Sequence, residues 1–161
     1  MSLTEEHKRE RLAKDELIGT WKLVSAVDTT DKGETEETFG SNPTGFLTYT
    51  ADGRMMGIIS NGGRKPLSVA DDIAAPAAER AEAFATFAAY AGSYTSNGNQ
   101  VTHHVEAAWL QNLVGTDLKR TIVSLQGDRL VLGAPPWSKG GKMVTTELIW
   151  ERITDGTKSV E

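Results

Sequence analysis

The sequence predicts an all-β fold, an antiparallel up-and-down barrel of about 8–10 strands with one inserted covering helix. Short segments that alternate apolar and polar residues recur along the chain, separated by Gly, Asp and Asn. One window, Ala77–Tyr90, changes to a helical period. The stretch Gln100–Arg120, QVTHHVEAAWLQNLVGTDLKR, runs as a strand, turns through a glycine, and resumes as a strand carrying an arginine in its middle. Short antiparallel strands must pack as two sheets or close on themselves, and closure removes their exposed edges. A barrel of about eight strands is wide enough for one small ligand or for side chains alone.

The elements follow in order. Met1–Asp15 is charged, with Leu12, Ala13 and Ile18 forming the apolar side of a short helix that closes one end of the barrel. Gly19 opens the first strand, GTWKLVSAVDT, in which Trp21, Leu23 and Val27 share a face and Lys22 points opposite. Val24 and Ala26 leave the second face partly apolar. Asp31-Lys32-Gly33 is a turn signal, and Glu34–Phe39 returns as a short strand. Gly45–Thr50 and Arg54–Ser60 form a hairpin around Ala51-Asp52-Gly53, because glycine supplies the positive φ that a tight turn needs. Asp52 is accordingly a turn residue.

Asn61–Pro76 reads as a loop and Ala77–Tyr90 as a helix, with Phe84, Phe87, Ala88 and Ala91 at helical spacing. Glu79 and Glu82 lie near its N-terminus, where the helix dipole favours negative charge. A helix at this point covers an opening of the barrel and controls access to it. Asn97-Gly98 then joins Ser93–Ser96 to Gln100–Trp109. Strands follow at Asp117–Leu125 and Arg129–Leu132, turned by Gly127-Asp128. Ala134-Pro135-Pro136-Trp137 is a rigid loop. KMVTTELIWERI closes the fold with Val144, Leu148 and Trp150 on one face.

The bulk numbers narrow the function classes. A chain of 161 residues makes a single domain, 1–161, with a core spanning about 17–153. With 39% hydrophobic and 24% charged residues it has the composition of a folded soluble protein. A net charge of −5 and the lack of a basic run argue against nucleic-acid binding. The absence of cysteine excludes disulfides, a thiol nucleophile and thiolate metal sites. No stretch is apolar enough for membrane insertion or export, so a cytoplasmic location is expected. Apolar residues on both faces of the first strand would permit a homodimer.

Candidate chemistry centres on His103, His104, Glu106 and Arg120. Adjacent strand residues point to opposite faces, so the two histidines cannot share a pocket without a bulge. Val101, Val105, Ala107 and Trp109 have the parity of His103, whereas Glu106 has that of His104. Two readings stand. Either the apolar face lines the pocket and His103 is internal, or apolar residues pack outward and His104 and Glu106 line a polar cavity. Arg120, among Leu118, Ile122 and Val123, is costly to bury without a partner and could anchor a carboxylate or enolate oxygen. Strand reversal near Gln111–Val114 places it opposite Val105 or Glu106. Trp21, Tyr49, Met56, Tyr94 and Trp109 are candidate ligand-binding wall residues, with aromatic bodies and an adaptable thioether suited to an apolar ligand.

No metal site is expected, because cysteine is absent, His7 is remote, and the paired histidines diverge. The chain lacks a G-x-S-x-G segment and a G-x-x-x-x-G-K-[ST] phosphate loop, so no cofactor is expected either.

LIGTWKLVSA, GFLTYTADGRMMG, AYAGSYTSNGNQVTHHVEAAWLQNLVGTDLKR and the closing ELIWERI resemble the bacterial and fungal lipocalin-like domain family over roughly Leu17–Ile153. Gly19-x-Trp21 is similar to the opening of true lipocalins, whose tryptophan caps the barrel base. His103-His104-Val105-Glu106 and Arg120 match the most recognisable block of the family. The resemblance implies a small barrel with an internal cavity and a binding or accessory role near secondary-metabolite and degradation pathways. Related barrels host cyclases or isomerases, but no catalytic set transfers. Three readings therefore stand. The first is binding of a small hydrophobic or amphipathic molecule carrying a carboxylate or carbonyl oxygen. The second is a cofactor-free isomerase, cyclase or dehydratase using histidine acid–base chemistry on a polyketide-like or aromatic metabolite. The third is a structural or protein-interaction barrel without a ligand.

Overall fold

A computed structural model describes Glu5, His7 and residues 14–154. The expected leader helix lies largely outside the described residues, but 14–17 is helical. The strands are β1 (Gly19–Thr30), β2 (Thr35–Glu37), β3 (Thr44–Tyr49), β4 (Arg54–Ser60), β5 (Phe87–Asn97) and β6 (Gln100–Ala108). They continue with β7 (Asp117–Gln126), β8 (Arg129–Gly133), β9 (Trp137–Lys139) and β10 (Lys142–Arg152). An α-helix, α1 (Ala77–Ala85), is inserted between β4 and β5, and a 3-10 turn at Gln111–Leu113 links β6 to β7.

The sheet order is β2-β1-β3-β4-β5-β6-β7-β8-β10-β9, and β1 also pairs with β10. That last pairing closes an eight-stranded antiparallel barrel, with β2 and β9 as short flanking strands. The inner wall carries Trp21, Leu23, Leu47, Tyr49, Met55, Tyr94, Val101, Leu130, Leu132 and Trp150, all buried in one cluster. Strand alternation puts these side chains inside and their sequence neighbours outside.

Local irregularities correct several expectations. Val24 is an unpaired extra residue in β1, because the register with β10 shifts between Leu23 and Ser25. The bulge inverts the parity beyond it, so Ala26 and Asp28 are buried, and Val27 takes the other face. Helix propensity carries the chain only to Ala85, not to Tyr90. From Phe87 the chain is a strand, since pairing Phe87–Ser93 along Ser60–Arg54 satisfies backbone groups that a longer helix would leave beside an open sheet edge. The alanines are neutral enough to be overruled. Trp137, expected as the end of the proline-rich loop, instead begins a short strand, Trp137–Lys139, that pairs with Lys142–Val144.

One end of the barrel is sealed by side chains. Trp21 Nε1–H donates to the Leu17 carbonyl at 2.9 Å. The Arg152 guanidinium stacks on the Trp21 ring, 4.2 Å from its centroid. It also donates to the Ile18 carbonyl, to the Glu16 carbonyl at 2.6 Å, and to Asp128 Oδ1 at 3.2 Å. Gly19 permits this approach: it adopts φ +136°, and a Cβ there would lie 2.9 Å from Arg152 Nη1. At the opposite end, β4 leads through the 61–76 segment into α1, whose Phe84 ring lies 6.4 Å from that of Trp109. No residue of α1 is buried.

Replacing Arg152 by Gln removes the stack and takes the guanidinium donors from the part-buried Ile18 carbonyl and the exposed Glu16 carbonyl. We expect a loss of about 2–4 kcal/mol in unfolding free energy, seen as a lower urea midpoint at unchanged slope. A variant as stable as the parent would show that the seal lies elsewhere.

Candidate functional site

The site is built from β3, β5, β6 and β7. His103 on β6 is only 2% exposed, and it pairs with Tyr94 of β5 on one side and Leu118 of β7 on the other. Directly paired residues share a face, so His103 points into the barrel with Tyr94. Two phenols hold its ring. The Tyr49 hydroxyl lies 2.6 Å from Nε2, and the Tyr90 hydroxyl lies 2.7 Å from Nδ1. The rings pack together, with both tyrosine centroids 5.6 Å from that of the imidazole. Tyr94 stacks edge-on against Tyr49 at 4.7 Å and donates to the Thr50 carbonyl at 2.8 Å.

Burial, the Arg120 charge and, less strongly, His104 lower the His103 pKa to about 3, so the ring is neutral near pH 7. Burial also raises the Tyr49 hydroxyl well above its ordinary value of 10.0, and raises Tyr90. A neutral imidazole offers one donor and one acceptor. One phenol therefore donates to the ring, while the other accepts from it and keeps its own proton for a further partner.

Arg120 pairs with Val101, a fully buried inner-wall residue, and not with Val105 or Glu106 as the loop length had indicated. The connection is longer than a tight reversal: its 3-10 turn and the Gly115 N–H to Val105 carbonyl bond hold β7 back along β6. On the inward face of β7 its charge nonetheless opposes protonation of His103 and favours ionisation of Tyr90 and Tyr49. Its hydrogen bond within the protein is to the adjacent Lys119 carbonyl at 3.1 Å. Among the described residues no carboxylate forms an ion pair with it. Asp28, the buried carboxylate of the same barrel, is a contrast: Thr146 at 2.6 Å, Thr38 at 2.9 Å and Lys139 at 2.7 Å all donate to it.

The other sequence candidates separate. His104 faces outward, bonding Asp117 Oδ1 at 2.7 Å and the Thr95 hydroxyl at 3.0 Å. Glu106 is also outside, paired with Arg54, at the point where the β5–β6 register shifts. Gly92 allows that shift, because a Cβ there would meet the His104 carbonyl oxygen at 1.8 Å. Met56 lies on the outer wall and is 59% exposed, because its hairpin partner Thr48 also faces out while Tyr49 and Met55 face in. Trp21 belongs to the sealed end, and Trp109 sits beyond β6 against Phe84. His103, Arg120, Tyr49 and Tyr94 are thus brought together, and His104, Glu106, Met56 and Trp109 are not.

Tyr90 was missed because it fell in the expected helix. The spacing of Tyr90, Gly92 and Tyr94 in AYAGSYT is a strand period that could have revealed it. Ile59, Tyr90, Leu118 and Arg120 face inward yet stay partly exposed, so solvent reaches the interior and the barrel is capable of holding a small hydrophobic ligand. A separate depression of about 270 Å³ near the sealed end is lined by Val24, Gln126, Asp128, Arg129, Trp150 and Glu151, none of which belongs to the His103 cluster.

The buried histidine sets a pH dependence. The folded ring binds a proton only near pH 3, against 6.5 for an ordinary histidine. Between those values the unfolded state holds more protons, so stability falls as pH drops from 6.5. His103→Gln should remove this component, flattening the slope of unfolding free energy by up to about 1.4 kcal/mol per pH unit. Urea titrations of both proteins between about pH 7 and 4 test it; identical slopes would contradict a neutral buried ring.

Comparison with known proteins gives the fold context. Two solved structures align over most of the chain. One is a redesigned beta barrel, 12% identical, covering 88% of this chain and 96% of that one, with a TM-score of 0.41. The other is the siderocalin Ex-FABP, 10% identical, covering 89% and 74%, with a TM-score of 0.39. No curated protein sequence matches. The model of the lipocalin-like domain matches residues 18–153, from the residue before Gly19 to the one after Arg152. The chain belongs to the lipocalin-like domain family.

Proposed function

We propose that this chain is a cytoplasmic binding protein for a small, largely apolar organic molecule ending in a carboxylate or carbonyl oxygen. The observation that carries the reading is Arg120. It lies half-buried on the inward face of β7 opposite Val101, its charge acts on Tyr90, and among the described residues no carboxylate pairs with it. A part-buried cation on the inward face without a counterion is incompletely solvated, and a bound oxygen anion would offset that through a charge-assisted hydrogen bond. The Tyr90 hydroxyl is placed to join that contact, and Leu47, Ile59 and Leu118 supply apolar wall for the rest of the molecule.

Histidine-driven catalysis draws less support. A ring with a pKa of about 3 is a weak base, and both its nitrogens are already engaged by phenols. His104 and Glu106, which would have relayed or oriented a proton, are bonded to partners on the outer wall.

Calorimetric titration with octanoate and octanamide tests the binding reading. Arg120→Met should weaken octanoate about tenfold or more, the value of a charge-assisted hydrogen bond, while octanamide changes by less than about threefold. Equal effects on both ligands, or no binding of either by the unaltered protein, would overturn it.

A further inference from the structure

Gly57 lies in the middle of β4, paired with Leu47 of β3 and Tyr90 of β5. Leu47 is 3% exposed and belongs to the core, so position 57 faces the interior. Glycine in a strand interior loses more conformational entropy on folding than any other residue and contributes no packing. Elsewhere in this barrel such residues have a structural reason. A Cβ at Gly45 would meet Ile59 and Leu23 at 3.0 Å, and one at Gly92 would collide with the His104 carbonyl. Gly57 has neither constraint. It is absent from the positive-φ glycines, and a Cβ there would meet only Leu47 Cδ1 at 3.7 Å and Met55 Cε at 4.0 Å, ordinary contact distances. Gly133 shares this freedom, but it ends β8 on the outward parity, beside Val123.

Tyr90, the cross-strand neighbour, does not cover the gap. Its hydroxyl is drawn to His103 Nδ1, and no atom of its ring lies within 4 Å of the Cβ position at 57. The inner wall therefore presents a bare, flat stretch of backbone next to the phenol that adjoins Arg120.

We propose that Gly57 is the specificity-determining position of the barrel, and that its missing side chain admits a ring-bearing acid where a side chain would leave room only for a slim chain. The inference rests on the binding reading above and adds the shape of the ligand to it. The acid group meets Arg120 and Tyr90, and the flat ring lies over the peptide of Gly57 with Leu47 and Met55 at its edge. A Val at this position suits a strand, and its Cβ fits, but its methyl groups project into the space the ring would fill.

Titration of the full chain with 2-naphthoate and octanoate tests this, using the unaltered protein, Gly57→Ala and Gly57→Val. The expected result is naphthoate binding weakened about tenfold or more in Gly57→Val and less in Gly57→Ala, with octanoate held within about threefold. Retained octanoate binding also shows that the variants are folded. Naphthoate affinity unchanged in Gly57→Val, or both acids lost in parallel, would overturn the proposal and leave the binding reading intact, as would an unaltered protein that takes octanoate and refuses naphthoate. Failure of the unaltered protein to bind either acid would overturn both. Failure of both variants to fold would overturn the premise that the neighbouring side chains leave room.

Discussion

The pairing of β1 with β10 is the constraint on which the rest of the barrel depends. Trp21–Thr30 runs against Val144–Arg152, and this seam turns a ten-stranded sheet into a closed wall. Closure leaves each inward side chain with neighbours across the interior as well as along the sheet. The seam also carries its own lock at Arg152, which binds the Trp21 ring, the carbonyls of Glu16 and Ile18, and Asp128. A cation that satisfies carbonyls and an aromatic face together is well suited to finishing a barrel end, where strands run out and their polar groups lose ladder partners.

With one end sealed, the barrel is asymmetric in chemistry as well as shape. Trp21, Met55, Val101, Leu130 and Trp150 are buried together in one apolar cluster. The polar groups of the interior are few, and two of them differ sharply. Asp28 is met by two hydroxyls and an ammonium, which fixes β1, the turn after β2, and β9 to one another. Arg120 is given a backbone carbonyl and proximity to phenols. Buried Asp28 is neutralised by three partners, from β9, β10 and the turn after β2, whereas the part-buried Arg120 has no counterion among the described residues, and that contrast is what supports the binding reading proposed above.

The Tyr49–His103–Tyr90 chain adds rigidity to that place. Burial and the neighbouring guanidinium keep the imidazole neutral, and the two phenols fix its orientation from opposite sides. Such an arrangement positions the Tyr90 hydroxyl more than it moves protons. Neither nitrogen of the ring is left open, which supports the binding reading proposed above over an acid–base one.

By itself, the sequence determined the barrel, its hairpins and the inward face of the closing strand with Val144, Leu148 and Trp150, because Asp52-Gly53, Asn97-Gly98 and Gly127-Asp128 mark turns locally and alternation needs only adjacent residues. It also singled out the His103-His104 pair and Arg120, since an imidazole or guanidinium among alternating apolar neighbours stands out wherever the strand lies. Only the tertiary structure decided the rest. The bulges at Val24 and in the β5–β6 pairing change parity through contacts made by distant strands, and the start of β5 at Phe87 follows from the free edge of β4, which no propensity within AFATFAAY encodes. Which histidine entered the barrel, and that Tyr90 joined it, were fixed by register. Register is a property of two strands at once, and one chain segment read alone does not contain it.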